Sequence, residues 1–249
     1  MTVAWDDEGI VLRARRHGET ALVVSAFTFE HGRHAGWIAG AAASRNRPLY
    51  EPGNRLQLHW QARLEDDLGR FTAEPIDAFA ARVLDRPDRL AAMAAATALL
   101  ETALAEREAH PTLYAGLLRL FATLAGDEHW RGFYLRFEAL LLAETGFALD
   151  LERCAVTGRA DQLAFVSPRT GRAVAQGAAP DYEDRLLPLP PCLLDASEPD
   201  AAAFAQGLQL TGHFLEKHVY HPIDQALPPA RQRLAQQSEE AKPLGSEAR

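Results

Sequence analysis

Cysteine is almost missing from this 249-residue chain, which holds only Cys154 and Cys192. Two thiols cannot build the dense disulfide framework of small secreted domains, so the fold must rest on burial of apolar surface. With 47% hydrophobic residues, a core of ordinary size is available. No apolar run approaches the roughly 18 residues of a membrane-spanning helix, and no charged-then-apolar leader follows Met1. No membrane partner is expected, and a reducing cytoplasm is the expected compartment. Lysine is scarce as well, occurring only at Lys217 and Lys242 among 26 basic residues. The positive charge is therefore nearly all guanidinium, the group whose planar fork matches phosphate.

Catalytic signatures are also missing. There is no glycine-rich phosphate loop of the Walker or dinucleotide type, no G-x-S-x-G and no H-E-x-x-H, so the common nucleotide, hydrolase and zinc-protease readings lose their signatures and an enzyme is left unsupported. The acid pairs Glu138 with Glu144 and Asp66 with Asp67 read as exposed helix faces and turns. His31-x-x-His34 and His218-x-x-His221 each offer two imidazoles, short of the three or four ligands of a zinc site, and read as surface or capping residues. No cofactor and no metal are expected.

What is present is an uneven charge. The net charge of -8 hides a basic stretch from 9 to 63, where eight arginines face Glu19, Glu30 and Glu51, between an acidic start at Asp6, Asp7 and Glu8 and a strongly acidic remainder. Such asymmetry points to two modules, the basic one suited to nucleic acid.

Hydropathy also divides the chain, somewhat later, near Pro75. Alternation predicts strands over 9–15, 20–28, 33–39, 55–63 and 69–73, broken at His17-Gly18, Gly32, the Gly40 to Gly53 stretch and Gly69. Five short strands predict a small closed barrel of the oligonucleotide-binding kind over 1–76. From Pro75 the period becomes helical. Helices are predicted over 89–109, from Pro111 to about Ala125, over 129–145, 199–219 and 228–238. The third is apolar nearly all round and therefore central. Between them, 150–198 reads as an irregular insertion with one hairpin near Leu163 to Val174. The expected class is α+β, a barrel domain over 1–76 followed by a helical domain over 77–238, with a flexible tail over 239–249.

On the barrel, Arg13 and Arg15 alternate with apolar residues and share one strand face, with Arg16 just beyond. The candidate phosphate contacts are these three with Arg33, Arg45, Arg47 and Arg55. Aromatics beside such cations can stack bases. Small barrels also need core aromatics, so each of Phe27, Trp37, Trp60 and Phe71 is expected inside rather than on a base.

Gly9-Ile10-Val11-Leu12, His17-Gly18-Glu19-Thr20 and Phe27-Thr28 before Gly32 resemble the start of the RecO family of bacterial recombinational DNA-repair proteins. Leu135-Arg136-Phe137-Glu138, Gly146-Phe147 and Cys154-Ala155-Val156-Thr157-Gly158 continue the resemblance, and Pro228 to Leu234 with Arg231 extends it weakly. The resemblance implies an N-terminal oligonucleotide-binding barrel followed by a helical domain, non-enzymatic in the covalent sense. It implies binding of single- and double-stranded DNA, annealing of complementary strands, and action with RecR and single-stranded-DNA-binding protein to help RecA load, within the RecF pathway of the response to DNA damage. It also implies that Arg136, with Phe133 and Phe137, receives the acidic, aromatic-ended tail of the single-strand-binding protein. Readings from other classes are an RNA-binding barrel protein, an interaction scaffold without nucleic acid, and an unrecognised hydrolase.

Two departures from the family pattern stand out. The family's zinc module of two C-x-x-C pairs survives only as Cys154, with Thr157, Ala175 and Ala178 at the other places, so packing of Leu163, Phe165 and Val166 is expected to hold that segment. After the third strand, Lys-Gly-Ala-Arg of the family is replaced by Ala39-Gly40-Ala41-Ala42. Arg45 and Arg47 on the same loop are expected to restore the charge.

Overall fold

A computed structural model describes residues 2–42, 45–126 and 129–241. Five strands, β1 (Val3–His17), β2 (Ala21–Thr28), β3 (Gly32–Ile38), β4 (Arg55–Ala62) and β5 (Arg70–Asp77), close into a barrel in the order β1-β2-β3-β5-β4. Period-2 alternation explains the strands. Leu22, Val24 and Ala26 of β2 meet Leu56, Leu58 and Trp60 of β4 inside, with Val11, Ile38 and Phe71. Strand β1 is long enough to pair with both β2 and β4, and its register shifts between Val11 and Arg13. Closure is made by a parallel contact of β3 with β5 at Trp37 and Arg70. The expected class, a five-stranded barrel followed by helices, is what the chain forms.

The chain divides into two compact units, Met1–Asp127 and Glu128–Arg249. The boundary expected at 76 marks the change from strand to helix, and the first unit also contains α1 (Phe79–Val83), α2 (Pro87–Ala103) and α3 (Pro111–Gly126). Phe27, on the outer side of β2, is fully buried and packs on Tyr114 of α3 with ring centroids 5.7 Å apart. Helix α2 was expected to reach residue 109 but ends at Ala103. Beyond it the backbone turns to meet β3, where Arg107 N–H donates to Arg33 O at 2.9 Å and Arg107 takes a positive φ of 64°.

The second unit contains α4 (Arg131–Glu144), α5 (Ala201–Leu215), α6 (Pro229–Glu240) and a small sheet of β6 (Leu163–Val166), β7 (Ala173–Ala175) and β8 (Leu187–Pro188), ordered β7-β6-β8. The insertion over 150–198 is thus more ordered than one hairpin. Leu163 and Phe165 pack on Cys154, Val174 and Ala175, while Val166 is buried outside that cluster. Helix α4 is central as expected, and it corrects the reading of Glu138 as exposed. Glu138 is fully buried, ion-paired to Arg231 of α6 and hydrogen-bonded by Thr211 of α5. A second Arg231 bond, Nη2 to Glu138 Oε2, measures 2.9 Å, and Nη2 also donates to Leu208 O at 2.7 Å. Helix α6 includes Glu239 and Glu240, two residues placed in the tail by the sequence reading; 242–249 lie outside the described residues.

Candidate nucleic-acid interface

The register of the barrel builds its outer surface. Side chains of residues paired across strands point to the same side. Arg15 is opposite Val23, Val23 opposite Trp37, Trp37 opposite Arg70 and Arg70 opposite Gln61, a single row over the outside of all five strands. One residue pair further along, Arg13 faces Ser25. The irregularity after Val11 matters here, because beyond it Ala14 packs on the core while Arg13 and Arg15 stand outside. Arg13, Arg15 and Arg16 are exposed, and among the described residues no hydrogen bond or ion pair engages their guanidinium groups.

The other expected cations divide. Arg33 is half-buried and donates through Nε to Leu104 O at 3.0 Å and through Nη1 to Glu106 at 3.2 Å. It shares a small cleft of about 110 Å3 with Arg13, Arg15, Glu101 and Glu106. Glu101 itself accepts a hydrogen bond from Ser25 Oγ at 2.5 Å. Arg55 is tied to Glu8 and, at 3.2 Å, to Asp77. Burial works against its charge, but these carboxylates more than compensate and raise its pKa. Arg45 is exposed and Arg47 half-buried at the start of a single 3-10 turn, Arg47–Tyr50. That turn is anchored by Asn54, whose Nδ2 donates to Pro48 O at 2.9 Å and Leu49 O at 3.1 Å. The structure therefore brings Arg13, Arg15 and Arg33 together, leaves Arg13, Arg15, Arg16 and Arg45 exposed, and commits Arg33 and Arg55 to acidic neighbours.

The aromatics divide too. Phe27, Trp60 and Phe71 are fully buried, whereas Trp37 is 36% exposed and has Arg70 over its ring at 5.6 Å. Sequence reasoning did not single out Arg70. Trp37 lies at the outward phase of β3, a signal available from alternation, but its neighbour on β5 follows from parallel closure between distant segments.

One of the four histidine readings needs correction, since His31 and His218 are half-buried and His221 is exposed. His34 is buried inside the barrel against Trp5, Trp60 and Phe71, and both ring nitrogens lack a partner. Desolvation, aided by Arg107, lowers its pKa to about 4. His31 stacks on Trp5 at 4.0 Å with Nδ1 3.1 Å from Asp7. His218 stacks on Phe147 at 4.6 Å, and burial lowers its pKa.

In the second unit, Arg136 lies over the Phe133 ring at 4.6 Å and its Nη1 donates to Cys192 O at 2.9 Å. Phe133 is half-buried and Phe137 is 3% exposed, so of the three expected tail-binding residues two reach the surface. Arg231, part of the weak C-terminal resemblance, is a core residue at 1% exposure.

The zinc-module positions converge on one sulfur. Cys154 Sγ accepts from the N–H groups of Val156 and Thr157 at 3.4 Å and of Ala175 at 3.2 Å. Burial pushes this thiol up, but the bonds from Thr157, Ala175 and Val156 outweigh it and bring it down to about 7. One thiol with a threonine and two alanines does not fit a structural zinc, which takes four ligands. Among the described residues, no three His, Cys, Asp or Glu side chains are grouped to hold a metal, and no helix is long and apolar enough to cross a membrane.

Comparison with known proteins agrees with this architecture. The family described as "Recombination protein O N terminal" matches residues 1–79, and "Recombination protein O C terminal" matches residues 84–225. The chain is 49% identical over 231 residues to the DNA repair protein RecO of Rhodospirillum centenum, covering 92% of each chain. It is 48% identical to that of Cereibacter sphaeroides (strain ATCC 17025), over 92% of this chain and 96% of the relative, and 45% identical to that of Caulobacter sp. (strain K31), over 91% and 94%. With a five-stranded barrel, a following set of helices and matches over nearly its whole length, this chain belongs to the RecO family of DNA repair and recombination proteins.

Proposed function

We propose that this protein is a non-enzymatic recombination mediator that binds single- and double-stranded DNA on the outside of its barrel and promotes annealing of complementary strands. In this reading it works with RecR and the single-strand-binding protein to help RecA load, in the cytoplasm at the nucleoid. The observation that carries it is the exposed set Arg13, Arg15 and Arg16, unpaired on the barrel surface of a chain whose net charge is -8. Phosphate affinity comes from local cations, and an acidic protein that leaves three arginines without an ion pair on one exposed strand keeps a site for anions. Annealing follows from the same physics. Two complementary strands repel through their phosphates, and a surface that neutralises both while leaving base edges accessible lowers that barrier without covalent chemistry. In the second unit, Arg136 beside Phe133 offers a cation and an aromatic face to a terminal carboxylate and ring.

The test is a titration of the protein onto a fluorescent oligonucleotide at several salt concentrations. Arg13→Glu with Arg15→Glu is expected to weaken binding alike for all sequences and to reduce the salt slope by about one per lost contact. The acidic tail peptide of the single-strand-binding protein is expected to bind independently of DNA, and more weakly after Arg136→Ala. Unchanged DNA binding would move the site off β1, and equal competition by RNA of the same sequence would reassign the barrel to RNA.

A further inference from the structure

Neutralising phosphates does not use every feature of the barrel surface. We propose that Trp37, Arg70 and Arg63 form a nucleobase subsite, in which one unpaired base stacks on the Trp37–Arg70 pair and Arg63 holds an adjacent phosphate. The proposal rests on the nucleic-acid reading above and deepens it by assigning the place of the base.

Four observations lead to it. First, burial separates Trp37 from the other indoles. Trp60 and Trp130 are 0% and 2% exposed and Trp5 is half-buried, so among the described residues Trp37 is the exposed tryptophan. Second, it carries a guanidinium over its face at 5.6 Å, and both an indole and a guanidinium plane stack on bases. Third, the pair opens on a hollow of about 490 Å3 lined by Gln61, Arg63, Asp67 and Thr2. That is room for a base, with amide and hydroxyl groups at hand for its polar edge. Arg63 and Arg70 outweigh Asp67, whose Oδ2 already accepts the Leu64 N–H at 3.0 Å. The hollow therefore favours an anionic ligand.

Fourth, the backbone turn beneath the platform is held before any ligand arrives. Gly69 has φ +65°, and a Cβ there would stand 2.3 Å from the Trp60 ring, so only glycine lets the turn lie flat on the barrel. Trp60 Nε1 donates to Leu68 O at 3.1 Å, and Trp37 N–H donates to Gly69 O at 3.0 Å. Arg107 holds the same turn through Asp66 at 2.9 Å. The backbone of Arg70 is thereby placed beside Trp37, so that part of the ordering is complete before binding. The row of the sheet puts Arg15 two strands from Trp37, so one strand of nucleic acid can lay phosphates on Arg13 and Arg15 while a base reaches the indole. A base within a duplex has both faces covered, so the subsite selects single strands, whereas the arginines of β1 serve both forms.

The experiment uses the full chain with three fluorescent probes of one length: a thymine oligonucleotide, the same backbone with abasic sites, and a duplex. Binding is followed by anisotropy and by quenching of intrinsic tryptophan emission. The thymine strand is expected to quench, and Trp37→Ala to abolish the quenching and weaken that strand about tenfold. Abasic strand and duplex are expected to stay within about twofold, with Trp37→Phe restoring most of the affinity and unfolding curves confirming that both variants fold. Equal weakening of all three probes, or no change in any while salt-dependent binding persists, overturns the subsite and leaves the nucleic-acid reading standing. Absence of binding by all probes at low salt overturns both. Quenching by an acidic peptide but not by the thymine strand would make the hollow a protein-binding site and overturn the proposal.

Discussion

Arg231 and Glu138 show how far a residue's role can lie from its composition class. Both are charged, and both are nearly or fully inaccessible, held with Thr211 and Leu208 O between three helices. Removing one member leaves a buried charge without its counterion. Arg231→Ala or Glu138→Ala is therefore expected to destabilise the chain by about 3 to 5 kcal/mol in urea unfolding, whereas replacing both by apolar residues of similar volume should cost much less. Equal losses for single and paired replacements would count against a buried pair. His34 makes a different residue-scale prediction. Its pKa falls from 6.5 to about 4 in the barrel, so between those values the unfolded chain binds the extra proton. Stability must then rise with pH across that window and level off above it. The unfolding midpoint of His34→Leu is expected to change less between pH 4.5 and 7 than that of the parent chain, and an identical pH profile would show that the imidazole is solvated.

At the scale of elements, the surface depends on two local devices. The register shift in β1 after Val11 turns Arg13 and Arg15 outward, and the turn at Gly69 brings Arg70 to Trp37. A third element opposes them. The end of α2 and the chain after it supply Glu101 and Glu106 to the cleft of Arg13, Arg15 and Arg33. Glu106 is the exposed partner of Arg33, so the pair contributes little stability and competes directly with phosphate. Glu106→Gln is expected to tighten oligonucleotide binding about twofold to fivefold at low salt, with the gain disappearing as salt screens it. Weaker binding in that variant would mean that Glu106 positions Arg33 for DNA instead of occupying it. The strands themselves were legible because alternation is a local signal, and their predicted limits agree closely with β2, β3 and β4. The end of α2 was not, since the pull on residues 104 to 107 comes from a strand some seventy positions earlier.

For the molecule as a whole, seven arginines were candidates for phosphate, but Arg33 and Arg55 are engaged by Glu106, Glu8 and Asp77. With Arg63 of the proposed subsite added to the remaining candidates, four to six contacts at roughly 0.7 per phosphate on a single strand put the slope of log K against log salt between about -2.8 and -4.2. A slope near -5 would return Arg33 and Arg55 to the interface. The sequence by itself determined the class of fold, the change from strand to helix near residue 76, the concentration of arginine before residue 64 and, through ordered short motifs, the family. These are readable because hydropathy period, turn residues and charge are properties of neighbouring positions. Only the tertiary structure decided which charges are spent. Glu138 reads as a surface acid until Arg231, 93 residues later, is seen beside it. His34 reads as a surface imidazole until the barrel closes round it. Trp37 and Arg70 become one platform through a parallel contact of β3 with β5 that no local pattern announces. Pairing across such distances depends on register and closure, and those are fixed by the folded core as a whole.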